Sequence, residues 1–194
     1  KKNFHKFEPG TQSEYANLNA ALAAYLIELV TEIPFKTYTK AKIFDPLLMQ
    51  STSWSYRDLS EASIATSYFP SGYLVPPYTL ITYPDGGLLT NAKDLSKYLQ
   101  EMIKAYNDKS EYLYQPFNQL LLPGNDDDER AFWGMGTKSR NIGHGGSDPG
   151  VQTDMQFNAD SRLGRIIFCN VNAEDNKDLW IQYRRIHDIL SEYE

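Results

Sequence analysis

Gly143-His144-Gly145-Gly146-Ser147-Asp148-Pro149-Gly150-Val151-Gln152-Thr153-Asp154-Met155-Gln156-Phe157-Asn158 is the stretch that decides the fold. Its second half alternates: Val151, Thr153, Met155 and Phe157 share one side, while Gln152, Asp154, Gln156 and Asn158 share the other. Successive side chains of a strand point to opposite faces, so this period of two predicts a half-buried antiparallel strand. His144, between Gly143 and Gly145, is expected at the start or end of a neighbouring strand. Arg165 to Val171 is more fully apolar and predicts a further strand.

Moving outward, the period changes from 2 to 3.6. Asp178 to Glu192 reads as an amphipathic helix with Leu179, Trp180, Tyr183, Ile186 and Leu190 facing inward. Upstream, Leu95, Tyr98, Leu99, Met102, Ile103 and Tyr106 form one stripe of a helix over Asn91 to Tyr106, which Thr90 or Asn91 can cap. Leu22, Tyr25, Leu26 and Leu29 make the stripe of a first helix, Leu18 to Val30. Pro34 suits the first turn of a second helix. Residues 45–90 carry five of the ten prolines and read as an irregular excursion. Helices first, then antiparallel strands covered by a C-terminal helix, make an α+β architecture.

Composition narrows the chemistry. A net charge of −6 and a pI near 5.1 speak against a nucleic-acid partner, which calls for a basic face. Asp126-Asp127-Asp128-Glu129 reads as a solvated loop tip. No apolar run approaches the roughly 18 residues of a membrane helix. Cys169, the single cysteine, lies in an apolar strand pattern and reads as a core thiol. Three scattered histidines, without His-x-x-x-His or Cys-x-x-Cys spacing, give no metal site. No glycine-rich phosphate loop opens a helix, so no cofactor is expected.

Two short motifs carry chemistry. Tyr15-Ala16-Asn17 follows Phe7-Glu8-Pro9-Gly10-Thr11, and His144-Gly145-Gly146-Ser147 lies far downstream. Each has an ordinary reading: Asn17 as a helix cap, and Gly143 to Gly150 as a glycine-rich turn with a surface histidine. Their order with Pro34-Phe35, Ile43-Phe44-Asp45-Pro46-Leu47-Leu48-Met49, Thr52-Ser53-Trp54, Tyr83-Pro84-Asp85-Gly86-Gly87-Leu88, Trp133-Gly134-Met135-Gly136 and Gly150-Val151-Gln152 changes the weight. Together they resemble the β-lactamase-related serine hydrolases: class C β-lactamases, D-alanyl-D-alanine carboxypeptidases, penicillin-binding-protein-like esterases and D-aminopeptidases. Glu32 and Leu48 depart from the family, which commonly has glycine at both places.

The resemblance implies roles for these residues. Tyr15 would be the general base, shuttling a proton from nucleophile to leaving group, which needs nearby cations to favour phenolate. Asn17 would hold substrate and the catalytic lysine. His144 would assist electrostatically near neutral pH. Gly145 and Gly146 would let substrate lie against the strand, and Ser147 would give a backbone N–H to the oxyanion hole. The Pro-Asp-Gly-Gly-Leu turn would lie near the cleft.

The third family motif, Ser-x-x-Lys, supplies the nucleophile, and no lysine here has a serine three residues before it. The expectation is therefore a single partial domain over 1–194, helical with irregular loops over 1–122 and strands plus a helix over 130–194. Its parent would hydrolyse an amide, ester or β-lactam through an acyl-enzyme, and the chain alone would be inactive. The alternative is a nucleophile-free protein of this fold acting in ligand binding or regulation. A β-lactam, D-amino-acid peptide or ester is the expected partner, with self-association through exposed core or an unpaired sheet edge. A periplasmic or extracellular site would follow from the resemblance, although no signal peptide pattern is present.

Overall fold

In a computed structural model, residues 6–8, 11–12, 14–107, 109–112, 134–135, 140–174 and 176–193 are described. Four antiparallel strands are hydrogen-bonded in chain order: β1 (Gly134–Met135), β2 (Asn141–Asp148), β3 (Val151–Asn158) and β4 (Gly164–Cys169). The alternating stretch is β3, at the ends its pattern foretold. β2 and β3 form a hairpin in which Asp148 pairs with Val151 across Pro149-Gly150. Gly150 has φ +77°, which favours glycine, and a Cβ there would come within 2.7 Å of Val75 Cγ2.

His144 stands in the middle of β2, where an end position was expected. The strand runs on through the glycines, whose missing side chains hide its alternation. Gly143 is needed for a close approach: a Cβ there would lie 2.3 Å from both the Met155 carbonyl oxygen and Gln156 Cβ.

Both faces of the sheet are covered. Helix α3 (Ala92–Tyr106) sets Leu99 and Met102 against Ile142, Phe157 and Ala159, and the Tyr106 ring meets Phe157 edge-on at 5.6 Å. Met102, Ile142 and Phe157 are fully buried. Helix α4 (Lys177–Ser191) covers the other face, placing Tyr183 on Ile167 and Ala173, with Leu179 and Leu190 beside them. Ile186, expected inward, is 41% exposed, whereas Trp180 stacks on Tyr183 and lines the cavity between the sheet and α4 while keeping an exposed edge. Asn176 caps α4 by accepting from the Asp178 and Leu179 amides.

The α3 N-terminus is bolted to the preceding excursion. Asn91 Oδ1 accepts from the Asp94 amide at 2.9 Å. Buried Asp94 in turn accepts from the Ser51 amide at 2.7 Å and Thr52 Oγ1 at 3.1 Å, and pairs with Lys97 at 2.9 Å. Burial pushes this carboxyl up, but the bonds from Lys97, Ser51 and Thr52 outweigh it and hold it below the ordinary value.

Helix α1 (Leu18–Thr31) is followed by α2 (Phe35–Thr39), which Pro34 precedes and which continues as a π-helical turn over Lys40–Phe44. Phe35, Trp54 and Tyr83 pack as an aromatic cluster, with Phe35–Trp54 at 5.6 Å and Trp54–Tyr83 at 5.4 Å. Glu32 and Leu48 have φ of +58° and +56°. These are left-handed positions that glycine occupies without strain, which gives a physical reason for the glycine that the resemblance leads one to expect at both. Among the described residues no single helix is long and apolar enough to cross a membrane.

Candidate functional site

The two chemical motifs, far apart in sequence, meet in space. Tyr15 lies in the segment leading into α1, and His144 projects from β2 on the α3 side, sharing a face with its cross-strand partner Met155. Their rings are 5.9 Å apart, centroid to centroid, and tilted by 32°. Tyr15 is 65% exposed and His144 is exposed too, so the pair faces solvent. His144 Nδ1 lies 2.5 Å from the Gly145 carbonyl oxygen. A carbonyl can only accept, so Nδ1 carries the hydrogen and Nε2 is left to work outward.

Asn17 holds the N-cap position of α1, yet its backbone is already helical and its side chain makes no capping bond. The ordinary reading of Asn17 as a cap therefore fails. Gly146 fits a tight place, since a Cβ there would lie 2.6 Å from Thr153 Oγ1.

Ser147 is turned the other way. Its Oγ accepts from Asn172 Nδ2 at 2.9 Å, and the same amide reaches the Asp148 carbonyl at 3.2 Å. Alternation puts this hydroxyl on the α4 face, opposite His144, so on the His144 face Ser147 offers backbone alone. Asn172, which fastens this end of β2, has no signature in the sequence. A polar residue just past an apolar strand carries no signal that separates it from a surface turn.

The Pro84-Asp85-Gly86-Gly87 turn packs against the same strand end. A Cβ on Gly86 would lie 3.4 Å from Asp148 Oδ2, and Tyr78 donates to the Pro149 carbonyl at 3.1 Å. Burial, followed by the charge of Asp85, raises the Asp148 carboxyl; burial, Asp148 and Tyr56 raise the Tyr78 phenol. Burial also raises the Cys169 thiol, which is half-buried. Among the described residues no group of three His, Cys, Asp or Glu side chains is placed to hold a metal. Pro9, Gly10, Trp133, Gly136 and the acidic Asp126–Glu129 run lie outside the described residues.

An antiparallel sheet between helices, with Tyr15 ahead of α1 against a histidine on β2, is a β-lactamase/transpeptidase-like arrangement. Residues 3–188 match the family described as Beta-lactamase, and the chain belongs to this β-lactamase-fold family of serine hydrolases. Among curated relatives it is 21% identical over 174 residues to Protein flp of Staphylococcus aureus, a match covering 86% of this chain and 35% of that protein. The chain thus spans about a third of the length of that relative. Among solved structures it is similar to a penicillin-binding protein from Bacillus halodurans, with TM-score 0.71 and 23% identity over 95% of this chain and 60% of that one. It is also similar to a D-amino acid amidase from Ochrobactrum anthropi SV3, solved with L-phenylalanine amide, with TM-score 0.64 and 18% identity over 88% of this chain and 53% of that one.

Proposed function

We propose that this chain supplies the proton-transfer and substrate-holding part of a serine hydrolase that passes an acyl group from an amide, ester or β-lactam to serine and then to water. The observation that carries this reading is the meeting of Tyr15 and His144 at 5.9 Å on an exposed face. Tyr15 is the general base, Asn17 orients substrate and the catalytic lysine, and His144 stabilises developing charge through Nε2. Gly145 and Gly146 leave room for substrate along β2, and the Ser147 amide is one oxyanion donor. Such a donor typically contributes on the order of 100-fold in rate.

The nucleophilic serine and its lysine come from a Ser-x-x-Lys segment outside these 194 residues, so the chain is one partial domain and is inactive alone. Two observations support this: no Ser-x-x-Lys is present, and the match covers 35% of the flp protein. The substrate classes considered are those of the named neighbours, amino-acid amides first and β-lactams second. The exposed apolar face of α1 is the surface through which the isolated chain self-associates.

The test uses the longer protein that contains this chain. Tyr15→Phe and His144→Gln should each lower hydrolysis of D-amino-acid amides or chromogenic β-lactams by about 100-fold or more, with circular dichroism unchanged. Full activity in both variants would overturn the assignment.

A further inference from the structure

The α4 side of the sheet holds a cavity of about 520 Å³, within the roughly 300–1,000 Å³ range of small-molecule clefts. Its floor is β2 and β3. Alternation turns Gln152, Asp154 and Gln156 toward α4, and the residue paired with Asp154 is Gly145, which carries no side chain. A Cβ at Gly145 would meet nothing closer than the Thr153 carbonyl oxygen at 3.5 Å, so the floor is open there. The roof is one stripe of α4, with Trp180, Arg184, His187 and Asp188 at helical spacing.

One floor residue asks for a ligand. Gln152 is 6% exposed, and its Oε1 is buried without a hydrogen-bond partner. An unmet buried acceptor is costly, so the position calls for an N–H or O–H from whatever occupies the cavity.

The charges are sorted along its length. At the Gln152 end stand Asp154 and Glu174, the latter fixed by its amide donating to Asn172 Oδ1 at 2.9 Å. At the other end Arg165, which pairs in register with Gln156, and Arg184 converge on His187, with Asp188 beside them. Burial, then these two arginines, hold the His187 imidazole below its ordinary value, while burial raises the Asp154 carboxyl. An ammonium would ease the acidic end and a carboxylate the basic end. Trp180, stacked on Tyr183 at 5.8 Å, offers a flat wall near the acidic end, suited to an apolar side chain.

Length decides between a single amino acid and something longer. Gln152 and Gln156 are four strand residues apart, roughly 13 Å at about 3.3 Å each. A single amino acid brings its two charges too close together to serve both ends. Two or three residues cover roughly 7–11 Å, and the arginine side chains reach across the rest.

We propose that this cavity binds a short peptide of two or three residues with free termini, its ammonium toward Gln152, Asp154 and Glu174 and its carboxylate toward Arg165 and Arg184. Gln152 Oε1 accepts one of its N–H groups, and the first side chain lies on Trp180. The cavity is on the α4 face, whereas Tyr15 and His144 meet on the other, so either reading can fail without the other.

The test is titration calorimetry on the longer protein that contains this chain, with Phe-Gly-Gly, its N-acetyl form and its C-terminal amide. Phe-Gly-Gly should bind one to one, and each blocked form should bind about tenfold or more weakly. Gln152→Leu should weaken all three peptides. Arg184→Gln, at an exposed position on α4, should weaken Phe-Gly-Gly and leave the amide unchanged, so that the preference for a free carboxylate disappears. No binding, equal binding of the blocked and free peptides, or full-strength binding in both variants would overturn the proposal.

Discussion

Helix α3 carries a sharp apolar stripe and α1 is apolar nearly all round, and the structure treats them in opposite ways. The α3 stripe is sealed: Leu99 and Met102 disappear against Ile142 and Phe157. The α1 stripe is open, with Leu22, Tyr25, Leu26 and Leu29 each between 50% and 56% exposed and only Ala24 buried. A helix that is apolar nearly all round belongs inside a protein. An apolar stripe thus announces that a face wants cover without saying what covers it. Tyr15 and Asn17, the proposed site residues, lie at the N-terminal end of the uncovered helix.

The sharpest way to break this contrast is to remove one side chain from each region. Phe157→Ala should cost about 3–5 kcal/mol, since it empties a fully enclosed position. Leu26→Ala should cost about 1 kcal/mol or less in the isolated chain, because half its surface is already wet. Urea melts of the two variants decide the matter, and equal losses would mean that α1 is packed in solution.

The bolt between Asp94 and residues 51–52 predicts an acid limb. Its folded pKa is lowered, so its contribution is present above the unfolded value of 3.8 and is lost as pH falls through the folded value. Asp148 has the opposite sign: its pKa is raised, so its ionisation disfavours the fold above that value. Melting temperatures of Asp94→Asn should therefore vary less with pH below about 4 than those of wild type. Asp148→Asn should gain stability at neutral pH, and a loss there would contradict the sign.

Two smaller effects concern the site and the backbone. Asn172→Ala should cost about 1 kcal/mol in a thermal melt through the lost bond to Ser147 Oγ. Glu32→Gly and Leu48→Gly should each be neutral or stabilising by up to about 1 kcal/mol, since glycine relieves a left-handed backbone. A marked loss in either glycine variant would show that the side chain matters more than φ.

Much of the fold was legible because its repeats were local. β3 emerged over Val151–Asn158, and α1 and α4 within one residue of their expected ends. His144 was misplaced within its strand because three glycines carry no alternation to read. The exposure of Ile186 was hidden because periodicity gives a stripe's direction, and the partner surface gives its width. In the site, Tyr15 and His144 were visible as motifs, and their meeting required the fold. Asn172 was illegible because it acts from a turn, where its amide reaches Ser147 Oγ.

The proposed function makes Tyr15, Asn17, His144 and Ser147 depend on a serine and a lysine from outside these 194 residues. Intact mass spectrometry after exposure to a penicillin is the decisive measurement, on this chain alone and on this chain joined to a segment that carries Ser-x-x-Lys. The chain alone should keep an unchanged mass, and the joined protein should carry one covalent acyl adduct. A stoichiometric adduct on the chain alone, or none on the joined protein, would contradict it.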